Sequence, residues 1–310
     1  MERRNFVKSG LAFSAAAATP AFSFTHSPQS NIVLPTEEYN FNLKYAPHAG
    51  MFKHHAGDSI IDQINFMADV GFKALEDNGM MGRDVAMQEK IAQTMQQRGM
   101  EMGVFVIDKG GNGANTLAAG KPEHEKIFLD GCRRAVDVAK RVNATWMTVV
   151  PGDFQRDIPI GIQTANVIET LRKAAEIFEP EGLVMVLEPL SDSPNLFLRT
   201  SDQTYLICRA VNSPACKILF DVYHMQKNEG HIINNMDLTW DEIAYVQVGD
   251  KPGRKEPTTG EINYKNIFKY LYDKGYEGII GMEHGNFAEG EAGEDRLIEA
   301  YKEVDSFKEA

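Results

Sequence analysis

Four oxygen-bearing side chains stand at the ends of four consecutive apolar runs in the second half of the chain. They are Glu188 in VLEPL, Asp221 in LFDVYH, Gln247 in YVQVGD and Glu283 in GMEHG, at intervals of 26 to 36 residues. Carboxylates held close together repel one another unless a cation neutralises them. Hard divalent ions such as Mg²⁺ and Mn²⁺ prefer oxygen ligands, and a glutamine supplies a neutral carbonyl oxygen. The four residues therefore predict a divalent metal site, with Mg²⁺ or Mn²⁺ as the cofactor.

The two glutamates of this set are suited to move a proton as well as to bind a metal. Converting an α-hydroxy aldehyde into an α-hydroxy ketone passes through an enediolate, whose negative charge a divalent ion stabilises. One carboxylate must remove a proton and a second must return it, so Glu188 and Glu283 are the candidate catalytic bases. His224, three residues after Asp221, is placed to donate to a substrate oxygen. Arg254 offers a planar fork for a substrate carboxylate.

Such a site needs a scaffold that brings the ends of several strands together. From residue 41 onward, short apolar runs alternate with longer amphipathic stretches, a pattern typical of parallel strands joined by helical crossovers. Strands are predicted near residues 41–47, 72–76, 102–107, 145–150, 183–188, 216–221, 243–248 and 278–283. Helices are clearest over 58–71, 84–99 and 126–143. Gly71 and Gly99 stand at the C-cap positions of the first two.

The repeat length selects one architecture among the parallel α/β folds. Eight units of roughly 34 residues each predict a single (β/α)8 TIM barrel, in which the side chains at the carboxyl ends of the strands face one mouth. A doubly wound open sheet is the alternative. That fold usually carries a glycine-rich phosphate loop after its first strand, and residues 46–57 (APHAGMFKHHAG) do not form one. We therefore expect a barrel.

Three segments of the chain resemble a known enzyme family. They are LEPL (187–190), FDVYHMQKNEG (220–230) and VQVGDKPGRKEPTTGEINY (246–264). They are similar to the hydroxypyruvate isomerase family and, more broadly, to the xylose-isomerase-like TIM barrels of sugar isomerases and epimerases. The resemblance covers roughly residues 41–290 and is densest from 187 to 285. It implies a metal-dependent isomerase that converts hydroxypyruvate into tartronate semialdehyde or acts on a related small sugar.

The resemblance also implies roles for particular residues. The positions that match the family's metal ligands are Glu188, Asp221, Gln247 and Glu283. The two glutamates also match its acid–base pair, and His224 and Arg254 match substrate-contacting positions. The segment after the first strand, PHAGMFKHHAGD, departs from the usual isomerase opening, so the substrate itself is not predicted. The sequence leaves open the roles of His48, His54, His55 and Glu76.

Three other functions remain open from the sequence. A ketose 3-epimerase would use the same two glutamates and a similar metal. The loops after strands one to three would distinguish it, because a longer sugar needs neutral donors and apolar walls where a carboxylate needs cationic groups. An exported carbohydrate-binding barrel would keep the fold without turnover. A phosphodiesterase that cuts DNA at abasic sites would need a histidine-rich multi-zinc site and a basic face, and Gln247 and the net charge argue against it.

The composition limits the partners of the protein. The 310 residues include 32 Lys and Arg against 44 Asp and Glu, a formal net charge of −12, so no nucleic-acid partner is expected. No stretch reaches the about 18 apolar residues of a membrane helix, so no stable membrane insertion is expected. The expected partner is a small sugar or hydroxy-oxo acid. Pairing into a homo-oligomer through the outer helices is left open.

The first forty residues have the organisation of an export signal. A basic start, MERRNFVKSG, precedes a mildly apolar run over residues 11–24 and then a polar tether. The pair Arg3 and Arg4 resembles a twin-arginine signal, although Glu2 stands where that motif prefers Ser or Thr. We therefore predict a periplasmic location, with a cytoplasmic one as the alternative if the signal does not function. The predicted organisation is a signal peptide and tether over 1–40 and a catalytic barrel over 41–310.

Overall fold

The computed structural model describes residues 39–308. The predicted signal peptide and nearly all of the tether therefore lie outside the described residues. The strands are β1 Lys44–Pro47, β2 Ala74–Leu75, β3 Glu101–Met102, β4 Phe105–Val106, β5 Trp146–Val149, β6 Val184–Leu187, β7 Cys216–Asp221, β8 Ile243–Gln247 and β9 Ile279–Met282. The α-helices are α1 Lys53–Ala56, α2 Ile60–Val70, α3 Val85–Arg98, α4 Pro122–Val142, α5 Ile160–Phe178, α6 Ser201–Val211, α7 Val222–Asn228, α8 Ile232–Leu238, α9 Tyr264–Asp273 and α10 Gly290–Asp305. Between residues 39 and 308, no helix is both long and apolar enough to cross a membrane.

The strands are parallel and follow one another in the order of an α/β barrel. Seven of them pair side by side in the order β1-β9-β8-β7-β6-β5-β4, and β2 pairs with β3. Single bridges join this pair to its neighbours, from His48 to Glu76 on one side and from Met102 to Ala144 on the other. The predicted barrel is thus confirmed in strand order and direction, with fewer backbone hydrogen bonds around its second and third strands.

Each predicted strand position is occupied, but the third differs in detail. The segment predicted as one strand over 102–107 forms two short strands, β3 and β4, on either side of Gly103 and Val104. β3 pairs with β2, whereas β4 pairs with β5. The interruption therefore lies where the chain passes from one neighbouring strand to the other.

The three clearest helix predictions are also confirmed. They correspond to α2, α3 and α4, and α4 begins earlier than expected, at Pro122. Proline suits the first turn of a helix because its fixed φ is helical and its missing N–H has no partner there. Gly71 and Gly99 end α2 and α3 in the left-handed conformation, with φ of 110° and 64°. The glycine positions therefore end the helices as the sequence predicted.

Alternate residues of the strands face two different apolar layers. Their helix-facing members, such as Leu187, Phe220, Val246 and Ile280, belong to the large cluster formed with the helices. A second buried cluster consists of Ala46, Ala74, Val104, Val186, Leu219, Tyr245 and Ile279. Because side chains alternate between the two faces of a strand, this second cluster lies inside the barrel.

Candidate active site

The predicted metal ligands continue the interior face of the strands. Glu188, Asp221 and Gln247 each stand two residues after an interior-facing strand residue, and Glu283 stands four residues after Ile279. Side chains two residues apart on a strand point the same way, so the four side chains face the carboxyl end of the barrel interior. Asp221 and Gln247 are direct register partners on β7 and β8. The fold therefore brings the predicted residues to one place.

Three of these residues form a compact group with His224. One potential ligand atom from each of Glu188, Asp221, His224 and Glu283 lies within 4.8 Å of the others. Over residues 39–308 this is the one group of acidic, histidine or cysteine side chains with that spacing. The structure thus places His224, predicted as a substrate contact, directly beside the carboxylates.

Three buried oxygen atoms at this site lack a hydrogen-bond partner among the described residues. They are Glu188 Oε1, Asp221 Oδ2 and Gln247 Oε1. Leaving a buried polar atom without a partner costs about 1–3 kcal/mol, so such atoms usually have a ligand, ion or water. Two carboxylate oxygens and one amide oxygen are the ligand types that Mg²⁺ and Mn²⁺ prefer. The residues present therefore fit a divalent ion.

Asp221 divides its two oxygens between the backbone and this site. Oδ1 accepts hydrogen bonds from the amides of Tyr223 at 2.7 Å and His224 at 3.3 Å, which caps α7. The cap fixes the orientation of the side chain. Oδ2 lies 3.6 Å from His224 Nε2, within the group that also contains Glu188 and Glu283.

Arg254 reaches the carboxylates from the loop after β8. Its Nη2 lies 2.5 Å from Glu283 Oε2 and 3.5 Å from Asp221 Oδ2, and its Nε donates to the Glu283 carbonyl oxygen at 3.1 Å. Its φ of 50° is in the left-handed region, which non-glycine residues adopt mostly at constrained or functional positions. Arg254 was predicted to contact substrate, and in the structure its charge also neutralises the predicted metal ligands in part.

The two glutamates lie in surroundings that favour their protonated forms. Burial, followed by the charges of Glu283 and Asp221, raises the pKa of Glu188 well above its usual value. Burial also raises the pKa of Glu283 to about 8, although the Arg254 charge opposes this shift. A carboxyl group with a pKa near neutrality is suited to both accepting and releasing a proton.

His224 is completely buried, and Ser191 holds one side of its ring. Nδ1 lies 2.8 Å from the Ser191 hydroxyl and 3.2 Å from the Ser191 amide. Nε2 therefore faces the carboxylates, 3.8 Å from Glu188 Oε1 and 3.1 Å from Arg254 Nη2. Burial lowers the pKa of His224, which favours its neutral ring. Ser191 was not selected from the sequence, because its partner lies in the next βα unit.

Asn78 is a second site residue that the sequence analysis missed. Its Nδ2 donates to Glu283 Oε1 at 2.9 Å, across 205 positions of the chain. The residue lies in the loop after β2, where the sequence Asp-Asn-Gly is typical of a turn. Its position just past a barrel strand is the signal that points to the mouth.

The structure gives roles to His48 and Glu76, which the sequence left open. His48 Nε2 lies 2.5 Å from Glu76 Oε1. Burial lowers the pKa of His48, but the charge of Glu76 and the hydrogen bond outweigh burial, so the pKa is raised above its usual value. Glu76 is completely buried and also accepts hydrogen bonds from Gln247 Nε2 at 2.6 Å and Tyr245 Oη at 2.8 Å. Glu76 therefore contacts the site through Gln247.

His54 and His55, whose roles the sequence left open, contact α10. Both ring nitrogens of His55 already face carboxylates, with Nδ1 2.6 Å from Glu294 Oε2 and Nε2 3.2 Å from Asp295 Oδ1. The same Glu294 accepts hydrogen bonds from the backbone amides of both histidines. These contacts connect α1 to α10.

A cavity of about 790 Å³ adjoins the carboxylates. Its lining includes Glu283, Asn78, Arg254, His48, Lys53 and His54. Lys53 and Arg254 bring positive charge to this lining, which also includes the acidic residues Glu289 and Glu294. The mouth of the barrel therefore presents both cationic and acidic side chains to an entering molecule.

Comparison with known proteins agrees with the predicted fold and enzyme class. A family model described as a xylose isomerase-like TIM barrel matches residues 64–304. The hydroxypyruvate isomerase of Escherichia coli (strain K12) is 33% identical over 174 residues, which are 56% of this chain and 67% of that protein. The 2-oxo-tetronate isomerase of Cupriavidus necator is 29% identical over 238 residues, 76% of this chain and 89% of that protein. The resemblance carried by the sequence motifs is thereby confirmed.

A solved structure gives the same fold. The 3-keto-D-glucoside 4-epimerase from E. coli superposes with a TM-score of 0.71, covering 85% of this chain and 99% of that one. The sequences are 18% identical, so this likeness shows the fold alone.

Proposed function

Because the chain belongs to the xylose isomerase-like TIM barrel family, we propose that it is a metal-dependent isomerase that moves a proton between adjacent carbons of a hydroxy-oxo acid or small sugar. The observation that carries this proposal is the set of buried oxygens without a hydrogen bond on Glu188, Asp221 and Gln247. They lie beside Glu283, whose pKa is raised to about 8. One group of residues thus offers both a place for a hard cation and two carboxyl groups that can exchange a proton.

Four residues would hold the ion. They are Glu188, Asp221, Gln247 and Glu283, and their oxygen donors favour Mg²⁺ or Mn²⁺. When bound, the ion supplies Lewis-acid stabilisation of negative charge that develops on the substrate oxygens. A cation among these carboxylates also relieves their mutual repulsion.

Glu188 and Glu283 are the proposed proton carriers. One carboxylate removes the proton from the carbon next to the carbonyl, and the other returns a proton to the adjacent carbon. The two side chains enter from the ends of β6 and β9, with β7 and β8 between them in the sheet. His224 Nε2 and the Arg254 guanidinium adjoin the same group and are the proposed contacts to substrate oxygens.

Hydroxypyruvate is the first proposed substrate. The positively charged side chains of Lys53 and Arg254 at the cavity suit a substrate carboxylate. The similarity to a hydroxypyruvate isomerase and a 2-oxo-tetronate isomerase supports the same class of substrate, a short 2-oxo acid that carries hydroxyl groups.

A ketose 3-epimerase is the second candidate, and the size of the cavity favours it. A volume of about 790 Å³ lies within the range of about 300–1,000 Å³ that is typical of pockets for drug-sized ligands. This is more space than a three-carbon acid needs. A barrel that binds carbohydrate without turnover is the remaining alternative.

The test is solvent proton exchange with a panel of substrates. The protein is incubated with Mn²⁺ in D₂O with hydroxypyruvate, a four-carbon 2-oxo acid and ketoses of five and six carbons, and products are followed by NMR. We expect deuterium uptake next to the carbonyl and formation of the isomer for a 2-oxo acid, both abolished by a chelator. Epimers of a ketose would select the second candidate. If Mn²⁺ binds but none of the substrates exchanges a proton, the result would contradict the proposal and favour a carbohydrate-binding barrel without turnover.

A further inference from the structure

Glu76 is a completely buried carboxylate that takes no part in the proposed reaction. It stands at the end of β2, and its oxygens accept three side-chain hydrogen bonds. Oε1 accepts from Gln247 Nε2 at 2.6 Å and from His48 Nε2 at 2.5 Å, and Oε2 accepts from Tyr245 Oη at 2.8 Å. A charge so deep in a barrel needs this degree of hydrogen bonding to be tolerated.

The surrounding strands leave room for this carboxylate. A Cβ atom at Gly281 would lie 1.7 Å from Glu76 Oε2 and 3.0 Å from Gln247 Cγ. A Cβ atom at Gly103 would lie 2.5 Å from Tyr245 Oη. Gly281 in β9 and Gly103 between β3 and β4 are therefore glycines at positions where any larger residue would displace Glu76 or Tyr245.

The contact with Glu76 decides which end of the Gln247 amide faces the site. A carboxylate offers acceptors only, so the –NH₂ group of Gln247 must be the end that points to Glu76. The oxygen, Oε1, then points away from Glu76 and is buried without a partner among the described residues. If the amide were reversed, its oxygen would lie against a Glu76 oxygen, and its –NH₂ group would face the proposed metal ligands Glu188, Asp221 and Glu283.

We propose that Glu76 is a positioning residue that fixes the Gln247 amide with its oxygen toward the metal site. This inference rests on the metal site of the proposed function. Glu76 itself does not touch the ion. It makes a neutral residue serve as an oxygen ligand, in the way that hydrogen-bonding partners behind metal ligands generally orient them.

The test is the Mn²⁺ affinity of the full chain carrying Glu76→Gln, measured by isothermal titration calorimetry. The new side chain is nearly isosteric, but it removes the charge and offers an –NH₂ group as well as an oxygen, so the Gln247 amide is no longer held one way. We expect Mn²⁺ binding to weaken by about 10–100-fold, the usual effect of removing such a partner. A cooperative melting transition followed by circular dichroism is the check that the variant is folded.

Tyr245→Phe is the matched control. It removes one hydrogen bond to Glu76 Oε2 and leaves the contact with Gln247 in place. We expect Mn²⁺ affinity within about twofold of the original, even where the melting temperature falls by a few degrees. A purely structural role of Glu76 would instead give both variants the same pattern, lower stability with unchanged affinity.

A double-mutant cycle separates positioning from the long-range effect of the Glu76 charge. In a Gln247→Ala background, Glu76→Gln should weaken Mn²⁺ binding little further, because no amide remains to be oriented. Equal weakening in both backgrounds would overturn the inference, as would unchanged affinity of the single variant. Absence of Mn²⁺ binding to the unaltered protein would overturn the proposed metal site instead. If Glu76→Gln does not fold, Glu76→Asp shortens the side chain by one methylene, keeps its charge, and should give the same loss and the same cycle.

Discussion

At the scale of single residues, two of the proposed ligands divide their polar atoms between the protein and the metal site. Asp221 uses Oδ1 to cap α7 and leaves Oδ2 without a hydrogen bond, 3.5 Å from Arg254 Nη2. Gln247 donates from Nε2 to Glu76 and leaves Oε1 without a hydrogen bond. The bonds to the protein fix the orientation of each side chain. The two remaining oxygens are thereby aimed without any help from a ligand.

Asp221→Asn tests the metal role of this residue apart from its capping role. Asparagine caps helices about as well as aspartate but carries no charge. We expect Mn²⁺ affinity to fall at least about 10-fold, since one anionic ligand is lost, while the melting temperature of the metal-free protein changes little. Asp84→Asn, at the exposed N-cap of α3, is the control and should leave both unchanged. Calorimetry that finds full Mn²⁺ affinity in Asp221→Asn would remove Asp221 from the site.

Glu283 makes the stability of the metal-free protein depend on pH. Its pKa is raised to about 8, above the value of about 4.3 expected in the unfolded chain, because burial disfavours the charged form. The stability it contributes is present below about pH 4.3 and is lost as the pH rises through about 8. We expect melting temperatures in a chelator to fall between about pH 5 and 8, and Mn²⁺ to raise them more at pH 8, where the ligands are ionised. Glu283→Gln should weaken this dependence and leave the part due to Glu188, whose pKa burial also raises. A larger Mn²⁺ effect at pH 5 than at pH 8 would contradict the prediction.

The sequence identified the residues at strand ends but not their partners from other strands. Asp221 and His224 are three residues apart, so one motif predicted that both lie near the site. Glu76 and Gln247 are separated by 171 positions, and their contact depends on how the strands are arranged around the barrel. The same holds for Asn78 and Glu283. Composition and spacing carry no signal for such pairs.

At the scale of elements, the alternation of apolar residues along the strands explains how the site is placed. Interior-facing positions such as Val186 and Leu219 predict the direction of Glu188 and Asp221 two residues later. This regularity is why the strand ends could be predicted from sequence. The division of the third strand into β3 and β4 could not be predicted, because it accompanies a change of pairing partner from β2 to β5, and β5 is distant in sequence.

Gly281→Ala tests the packing inside the barrel. Its Cβ would overlap Glu76 Oε2, so we expect the free energy of unfolding to fall by about 1–3 kcal/mol, the usual range for overpacking. Gly161→Ala, near the start of α5, is the control because no atom lies within 4 Å of the added methyl group. We expect it to be neutral or to stabilise by about 0.5–1 kcal/mol. Equal denaturation midpoints for the two variants would mean that Glu76 is not confined as the structure shows.

At the scale of the whole molecule, the repeat pattern and the family motifs predicted the barrel. The shape of its mouth could not be predicted from them. The cavity is formed by loops from several βα units, including the atypical segment after β1 with Lys53 and His54. Loop conformations depend on contacts such as that of His55 with Glu294, which no local pattern encodes. The sequence therefore defines the class of reaction better than it defines the size of the substrate.

The cellular location is a prediction at this scale. We propose that the protein is exported to the periplasm through the segment that contains Arg3 and Arg4. Replacing both with lysine should retain the full-length precursor in the cytoplasm, as shown by fractionation and immunoblotting. The control changes Arg133 and Arg134 of α4 to lysine, which leaves the signal intact. Export of the Arg3/Arg4 variant at the normal level would reject the twin-arginine interpretation.

The two-glutamate mechanism is tested by turnover and solvent deuterium uptake of Glu188→Gln and Glu283→Gln with Mn²⁺ bound. Glutamine keeps an oxygen of the same reach but cannot accept a proton at neutral pH. We expect each variant to retain partial Mn²⁺ binding and to lose at least about 10²-fold in turnover, the usual contribution of a positioned base. One of them is expected still to exchange a substrate proton without completing product, which assigns each glutamate to its carbon. Near-normal turnover in both variants, with Mn²⁺ bound, would show that other groups carry the proton and would contradict the two-glutamate mechanism.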